Sequence, residues 1–236
     1  MKNLIAASTS TIYNGTYLDY LTEALTELFS ETDEILFIPY ARPGGITHDE
    51  YTRKASEAFK KINKKVMGLH TFSDPVKAIN EAKGIFTGGG NTFVLVSSLY
   101  KNQVMEPLRE VIFNGTPYLG TSAGSNICGV SMKTTNDMPI VYPPSFKTLG
   151  VIPFNVNPHY LDPNPSSEHM GETRETRIKE FHTQNNIPVV GLREGSWLRV
   201  KDSSIVLKGE HSARIFKKGK KPVEIETSTS LSQLTL

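Results

Sequence analysis

The 236-residue sequence predicts a three-layer α/β fold, in which a mostly parallel sheet carries helices on both faces. Short apolar runs alternate with segments of helical spacing over the first half of the chain, as in proteins built from strand–helix–strand units. Two of these runs lead directly into glycine-rich turns. Because ligands bind at the carboxyl ends of the strands in such sheets, we expect both turns at one functional edge.

Five strands and five helices are predicted in the first half of the chain. The continuous apolar run at residues 35–39 is typical of a strand that is buried on both faces. Thr47 and Glu50 have the spacing of a capping box, and Asp74 before Pro75 that of an N-cap followed by a first-turn proline. The other strands are expected at residues 4–7, 66–69, 84–87 and 117–120, and the helices at residues 18–28, 47–62, 74–82, 92–99 and 105–113.

The second half of the chain has a different pattern. From Ser131 onward, prolines divide the sequence into segments that predict loops with short strands, and such loops commonly carry functional residues. Residues 172–181 predict a helix. After Pro188, apolar segments separated by turn residues predict a C-terminal strand meander, with strands at residues 189–192, 196–201, 205–207 and 213–216.

Composition limits the class of protein. The chain has 26 Lys and Arg against 24 Asp and Glu, and the formal charge of +2 is too weak to predict nucleic acid or a membrane as its partner. Cys128 is the only cysteine, and no apolar run approaches the roughly 18 residues of a membrane span. The N-terminus lacks the apolar segment of a signal peptide. We therefore expect a cytoplasmic protein with a single domain over residues 1–236, as a monomer or a homodimer, that acts on a small molecule.

The second glycine-rich turn centres on Ser122. It has the spacing Gly-x-Ser-x-Gly of a nucleophile elbow, in which a sharp turn from strand to helix lifts one hydroxyl off the backbone. The N–H of Ala123 would then open a helix and face a developing oxyanion. The same residue types also form ordinary turns and N-caps, so the rest of the chain has to decide between these two interpretations.

A serine nucleophile needs a base and an acid that orients the base. His159 is the best candidate for the base, because it lies in a proline-held loop that follows the elbow in the chain. Two acids compete for the orienting role. Asp137 gives the chain order Ser, Asp, His of α/β-hydrolases, whereas Glu194 ends a predicted strand and could reach the same imidazole. Spacing alone does not separate them.

The first glycine-rich turn, Gly88 to Gly90, opens a helix with exposed N–H groups. With Ala123, the N–H of Gly89 or Gly90 would form an oxyanion hole. The turn lacks the pattern of a dinucleotide site and the lysine of a P-loop, so a nucleotide is not expected. No His or Cys cluster has metal-ligand spacing, so we expect no metal or other cofactor, and Cys128 is expected to be a buried apolar residue.

Six blocks of sequence resemble the aspartyl dipeptidases, the peptidase E group of the S51 serine peptidases. These blocks run in the order of that family over nearly the whole chain, at residues 88–93, 122–124, 134–140, 157–159, 171–175 and 194–195. The resemblance implies a fold like flavodoxin or the class I glutamine amidotransferases. It also implies metal-independent hydrolysis of dipeptides with N-terminal aspartate.

The resemblance also implies roles for individual residues. Ser122 matches the nucleophile and His159 the base, while Asp137 and Glu194 both match residues proposed as the acid, so that choice stays open. Arg174 matches the position expected to bind the aspartyl side chain, a role that suits the bidentate geometry of a guanidinium.

Two further positions bear on the substrate pocket. Asn91 lies in the first matching block and is expected to contact the substrate. Thr121 stands where some members of the family that the chain resembles carry tryptophan and others threonine, so this departure bears on the shape of the pocket and the substrate range but not on activity itself.

Three other functions stay open. One is a different S51 hydrolase, such as a cyanophycinase-like enzyme that acts on β-aspartyl peptides. A second is an ester hydrolase of the α/β-hydrolase type. The third is a relative of the fold that binds a small anion without turnover.

Overall fold

The computed structural model describes residues 1–163, 166, 168 and 170–235. Residues 164, 165, 167 and 169, which lie in the proline-punctuated segment before the predicted helix, fall outside the described residues. The same is true of Leu236, the end of the predicted domain. The strands are β1 (Asn3–Ala7), β2 (Glu34–Ile38), β3 (Lys65–Gly68), β4 (Ile85–Thr87), β5 (Tyr118–Thr121), β6 (Asn155–Pro158), β7 (Val189–Leu192), β8 (Ser196–Lys201), β9 (Ser204–Gly209), β10 (Ala213–Phe216) and β11 (Val223–Ile225). The helices are α1 (Thr22–Leu28), α2 (His48–Lys60), α3 (Pro75–Glu81), α4 (Thr92–Lys101), α5 (Met105–Phe113), α6 (Ala123–Asn126) and α7 (Arg174–Gln184).

The main sheet has seven strands in the order β3-β2-β4-β5-β1-β8-β9. The first five of these are parallel to one another, and β8 and β9 form an antiparallel hairpin that pairs with β1. Adjacent residues of a strand point to opposite faces, so Leu4 contributes to one core and Ile5 to the other. Helices α3 to α6 pack on the first face and helices α1 and α2 on the second. The predicted α/β fold, with a mostly parallel sheet between helices, is confirmed.

A second sheet of four strands, in the order β11-β10-β7-β6, packs against the same core as α3 to α6. Val190 and Leu192 of β7 point into that core, whereas Val189 points to a small third cluster beneath α7. Strands β6 and β7 are parallel, so their carboxyl ends lie side by side. His159 follows the first of these ends and Glu194 lies just past the second.

The C-terminal strands do not form the single meander that the sequence predicts. Their bounds agree with the prediction, but β8 and β9 extend the main sheet while β7 and β10 pair in the second sheet. The reason is burial. All four residues of β7 are buried, because the strand is covered on both faces, whereas β8 alternates between buried and partly exposed residues and fits beside β1.

The predicted helix caps are present. The Thr47 hydroxyl oxygen accepts from the N–H of Glu50, and the N–H of Thr47 donates to the Glu50 carboxylate. These two hydrogen bonds complete the capping box of α2. Asp74 caps α3 with Pro75 in the first turn. Among the described residues, no helix has the length and apolar character that crossing a lipid bilayer requires.

Candidate active site

Ser122 occupies the sharp turn between β5 and α6. Its backbone has φ 53° and ψ −110°, a conformation that costs a non-glycine residue about 1–3 kcal/mol and that is found mainly at functional sites. The Ser122 N–H donates to the carbonyl oxygen of Ala7 at 3.1 Å, which fixes the turn to the end of β1. A Cβ on Gly120 would lie 2.3 Å from the Gly124 carbonyl oxygen, so the turn closes only with glycine there.

His159 joins the nucleophile to a carboxylate. Its Nε2 lies 2.9 Å from Ser122 Oγ, and its Nδ1 lies 2.6 Å from Glu194 Oε1. Because a carboxylate can only accept, the imidazole carries its proton on Nδ1, and Nε2 is free to accept from the serine hydroxyl. The imidazole side chain is 37% exposed and the Glu194 side chain is 50% exposed, so the three groups are open to an incoming substrate.

Asp137 lies elsewhere, at the start of helix α4. Its Oδ2 accepts from the N–H of Thr92 at 2.7 Å, from the Thr92 hydroxyl at 2.6 Å and from the Thr135 hydroxyl at 2.9 Å. These bonds hold the carboxylate on the helix N-terminus, which favours a negative charge. Of the two acids that the sequence leaves open, Glu194 therefore contacts the imidazole and Asp137 does not.

The turn from Gly88 to Gly90 lies beside the nucleophile. A Cβ on Gly89 would come within 2.8 Å of Ser122 Cβ, so only glycine allows this approach. In the described part of the chain, the N–H groups of Gly89, Gly90 and Ala123 have no backbone acceptor. The Tyr51 hydroxyl donates to the Gly89 carbonyl at 3.1 Å, and since the peptide is trans, the Gly90 N–H points away from Tyr51.

The sequence of the chain matches a known family. The family model described as Peptidase family S51 matches residues 4–208. The chain belongs to peptidase family S51. The predicted class of enzyme, a peptidase, is therefore confirmed.

Two similar proteins align with nearly the whole of this chain. Peptidase E from Streptomyces coelicolor is 46% identical over 232 residues, which are 98% of this chain and 94% of that protein. A probable alpha-aspartyl dipeptidase from Drosophila melanogaster is 45% identical over 219 residues, 92% of this chain and 90% of that protein.

A solved structure supports the fold of the S51 peptidase. A putative peptidase E protein from Listeria monocytogenes matches with a TM-score of 0.67 at 20% identity, over 89% of this chain and 100% of that chain. At that level of identity the likeness concerns the fold, and it agrees with the predicted α/β class.

Arg174 is the first residue of helix α7 in the S51 peptidase, directly after the N-cap Thr173. Burial and the neighbouring Arg177 lower the pKa of Arg174, and the Asp137 carboxylate partly opposes them, but a guanidinium remains charged. Arg177 is paired with Glu172 at 3.6 Å, whereas Arg174 has no carboxylate within ion-pair distance among the residues that the structure describes. A cation at the positive end of a helix is electrostatically unfavourable, so this position suits an anionic ligand.

Asn91 has a structural role that the sequence does not indicate. Its Oδ1 accepts from the N–H of Val94 as the N-cap of α4, and its Nδ2 donates to the Met138 carbonyl at 2.9 Å. Both polar ends of the side chain therefore have a partner within the protein, and the substrate contact expected of Asn91 stays a prediction. Cys128 is fully buried, and burial raises the pKa of its thiol, as expected for an apolar residue rather than a nucleophile.

Two residues near the site were not singled out by sequence reasoning. Tyr51 belongs to the apolar face of α2 and carries no local signal for its hydrogen bond to Gly89. Ser8 follows β1 directly, and its position as a polar residue at the carboxyl end of a strand was the available signal.

Proposed function

We propose that this S51 peptidase hydrolyses dipeptides with N-terminal aspartate, through an acyl-enzyme on Ser122. The chain of contacts from Glu194 through His159 to Ser122 carries the proposal, because it is the geometry of an activated serine. The substrate class is supported by the names of relatives at 45% and 46% identity, an alpha-aspartyl dipeptidase and a peptidase E. It is also supported by the cationic position of Arg174.

In the first step, Ser122 Oγ attacks the peptide carbonyl carbon while His159 Nε2 takes the hydroxyl proton. The Glu194 carboxylate stabilises the imidazolium that forms, at the 2.6 Å contact with Nδ1. The tetrahedral oxyanion would accept from the N–H of Ala123 and from that of Gly90 or Gly89. Loss of one such donor typically costs about 10²- to 10³-fold in turnover.

In the second step, the imidazolium returns its proton to the leaving nitrogen, the C–N bond breaks, and the second residue departs as a free amine. Water then attacks the ester carbonyl of the acyl-enzyme, and His159 again takes the proton. The ester bond breaks, Ser122 Oγ recovers its proton from the imidazolium, and free aspartate is released.

Arg174 and Asp137 would bind the two charged groups of an N-terminal aspartate, which are its β-carboxylate and its α-ammonium group. The Arg174 guanidinium would pair with the β-carboxylate in a bidentate contact. Asp137 uses Oδ2 for its bonds to Thr92 and Thr135, while Oδ1 takes no part in them. We assign Oδ1 to the free α-ammonium group of the substrate, a contact that a blocked N-terminus would lose.

The deciding experiment is hydrolysis of Asp-Leu beside Asn-Leu, isoAsp-Leu, Leu-Asp and N-acetyl-Asp-Leu, with and without a chelator. We expect cleavage of Asp-Leu alone, unaffected by the chelator and absent from a folded Ser122→Ala variant. Cleavage of isoAsp-Leu alone would instead assign the enzyme to β-aspartyl peptides. No cleavage of any of them, or full turnover by Ser122→Ala, would overturn the proposal.

Substitution of Arg174 tests the carboxylate pocket. A charge-assisted hydrogen bond is worth roughly 1.5–3 kcal/mol, so Arg174→Ala should lower kcat/KM for Asp-Leu by about 10- to 100-fold. Arg174→Lys should recover part of the loss, because the charge remains without the planar fork. Arg177→Ala is the matched control on the same helix, and an equal loss in that variant would mean that the effect is a general one of charge.

A further inference from the structure

The end of strand β1 holds the groups of the site together. The Ala7 carbonyl oxygen accepts from the N–H of the nucleophile Ser122 at 3.1 Å and from the hydroxyl of Ser125 at 2.5 Å. Ser8, the next residue, is fully buried, and its N–H donates to the Ser196 carbonyl of β8 at 3.0 Å. Hydrogen bonds to the turn at Ser122 on one side and to β8 on the other therefore hold the backbone of Ala7 and Ser8 in place.

The Ser8 hydroxyl bridges from the main sheet to the second sheet. It donates its proton to the Leu192 carbonyl at the end of β7, at 2.7 Å, and it accepts from the N–H of His159 at 2.9 Å. The single hydroxyl proton and one lone pair are thus both used, each on a backbone group. Leu192 lies two residues before Glu194, so this hydroxyl contacts the strand ends that carry the base and its acid.

The bond to His159 matters because of the conformation of that residue. His159 has φ 54°, a left-handed backbone conformation that is uncommon for residues other than glycine. The Ser8 hydroxyl binds the N–H of this residue. It therefore restrains the peptide that aims the imidazole at Ser122.

We infer that Ser8 is a positioning residue for the reaction, whose hydroxyl sets the distance between nucleophile and base. The Ser122 N–H is hydrogen-bonded to Ala7 and the His159 N–H to Ser8, so adjacent residues at the end of β1 position both reacting residues. The inference rests on the proposed serine–histidine pair. Misplacement of a reacting group by about 1 Å can cost about 10²-fold in rate.

Turnover of Asp-Leu by Ser8→Ala tests this inference. We expect kcat to fall by about 10- to 100-fold with KM changed by less than about 3-fold, because positioning is lost while the substrate pocket is retained. Thr148→Val is the matched control, since it removes a buried hydroxyl bound to a backbone carbonyl outside the candidate active site. That variant should unfold at a lower temperature and keep its kcat.

A spectroscopic readout separates positioning from folding. The proton between His159 Nδ1 and Glu194 should give a downfield NMR resonance in the parent protein, and Ser8→Ala should shift or broaden it. Ser8→Cys fills the same space with a longer and weaker hydrogen-bonding group and should give an intermediate kcat, so the inference stays testable if the alanine variant does not fold. Parent-like kcat in either folded variant, or an equal loss of kcat in Thr148→Val, would overturn it.

Labelling of Ser122 by a fluorophosphonate distinguishes this inference from the proposed function. The reagent reports the reactivity of the serine without a peptide substrate. If the parent protein cleaves no aspartyl dipeptide but is labelled, the substrate assignment fails while Ser8 is still tested. A labelling rate that falls in Ser8→Ala and not in Thr148→Val supports positioning, and equal rates in all three proteins contradict it.

Discussion

The two halves of the candidate site come from parts of the chain that are built differently. Ser122 and the N–H donors lie on short turns between a strand and the next helix, within the parallel sheet. His159 and Glu194 follow the ends of strands β6 and β7 of the second sheet, and Arg174 is the first residue of α7. Local geometry therefore determines the nucleophile, whereas the long-range pairing of β6 with β7 brings the base and its acid together.

The largest loss of kcat is expected from substitution of Glu194, the acid that the pairing of β6 with β7 brings to the imidazole. Glu194→Gln removes the charge that stabilises the imidazolium and favours the wrong tautomer, so kcat should fall by about 10³- to 10⁴-fold. Asp137→Asn should act mainly on KM, because that carboxylate contacts α4 and the proposed ammonium site. Steady-state kinetics of both variants with Asp-Leu make the comparison, and the opposite pattern would return the orienting role to Asp137.

An intermediate loss of turnover is expected from a change in the glycine turn beside Ser122. Gly89→Ala places a Cβ 2.8 Å from Ser122 Cβ, so the turn must move and turnover should fall by about 10²- to 10³-fold, as for the loss of an oxyanion donor. Gly44→Ala is the control, because a Cβ there would meet nothing within 4 Å. Thermal unfolding and kcat are measured together, and retained turnover in a folded Gly89→Ala would show that the approach to Ser122 is not required.

The smallest effect is expected from Tyr51. Tyr51→Phe removes the hydrogen bond to the Gly89 carbonyl, and a neutral hydrogen bond worth about 1 kcal/mol limits the loss in kcat to roughly 5-fold. Tyr17→Phe is the control, since its hydroxyl reaches Tyr51 only at 3.5 Å. Equal turnover in Tyr51→Phe and the parent would mean that the glycine turn keeps its orientation without this bond.

The contrast between local geometry and long-range strand pairing also explains which features of the structure the sequence could predict. Local sequence patterns predict the strands of the parallel sheet, the caps at Thr47 and Asp74 and the helix at residues 105–113, and the structure has all of them. The division of the C-terminal strands between two sheets was not predicted, because turn residues mark where a strand ends and not which strand it joins. Strand β11 was missed, since two of its three residues are exposed.

Within the site, spacing alone identified Ser122 as a candidate but could not choose between Asp137 and Glu194. That choice depends on the parallel pairing of β6 with β7, which brings residues 159 and 194 together across 35 positions of sequence. The hydrogen-bond partners of the Asn91 side chain could not be predicted from the sequence either. These partners are a helix N–H and the Met138 carbonyl, 47 residues away.

The ligand contact proposed for Arg174 would link binding at this position to the stability of the fold. Arg174 is the first residue of α7, where a positive charge is unfavourable, and the described residues offer it no carboxylate in ion-pair contact. An anion bound there removes this repulsion only in the native state, so binding stabilises the protein by RT ln(1 + [L]/Kd). Free aspartate, the product under the proposed function, would then both bind at Arg174 and protect the protein from heat, which couples product inhibition to thermal resistance through one guanidinium.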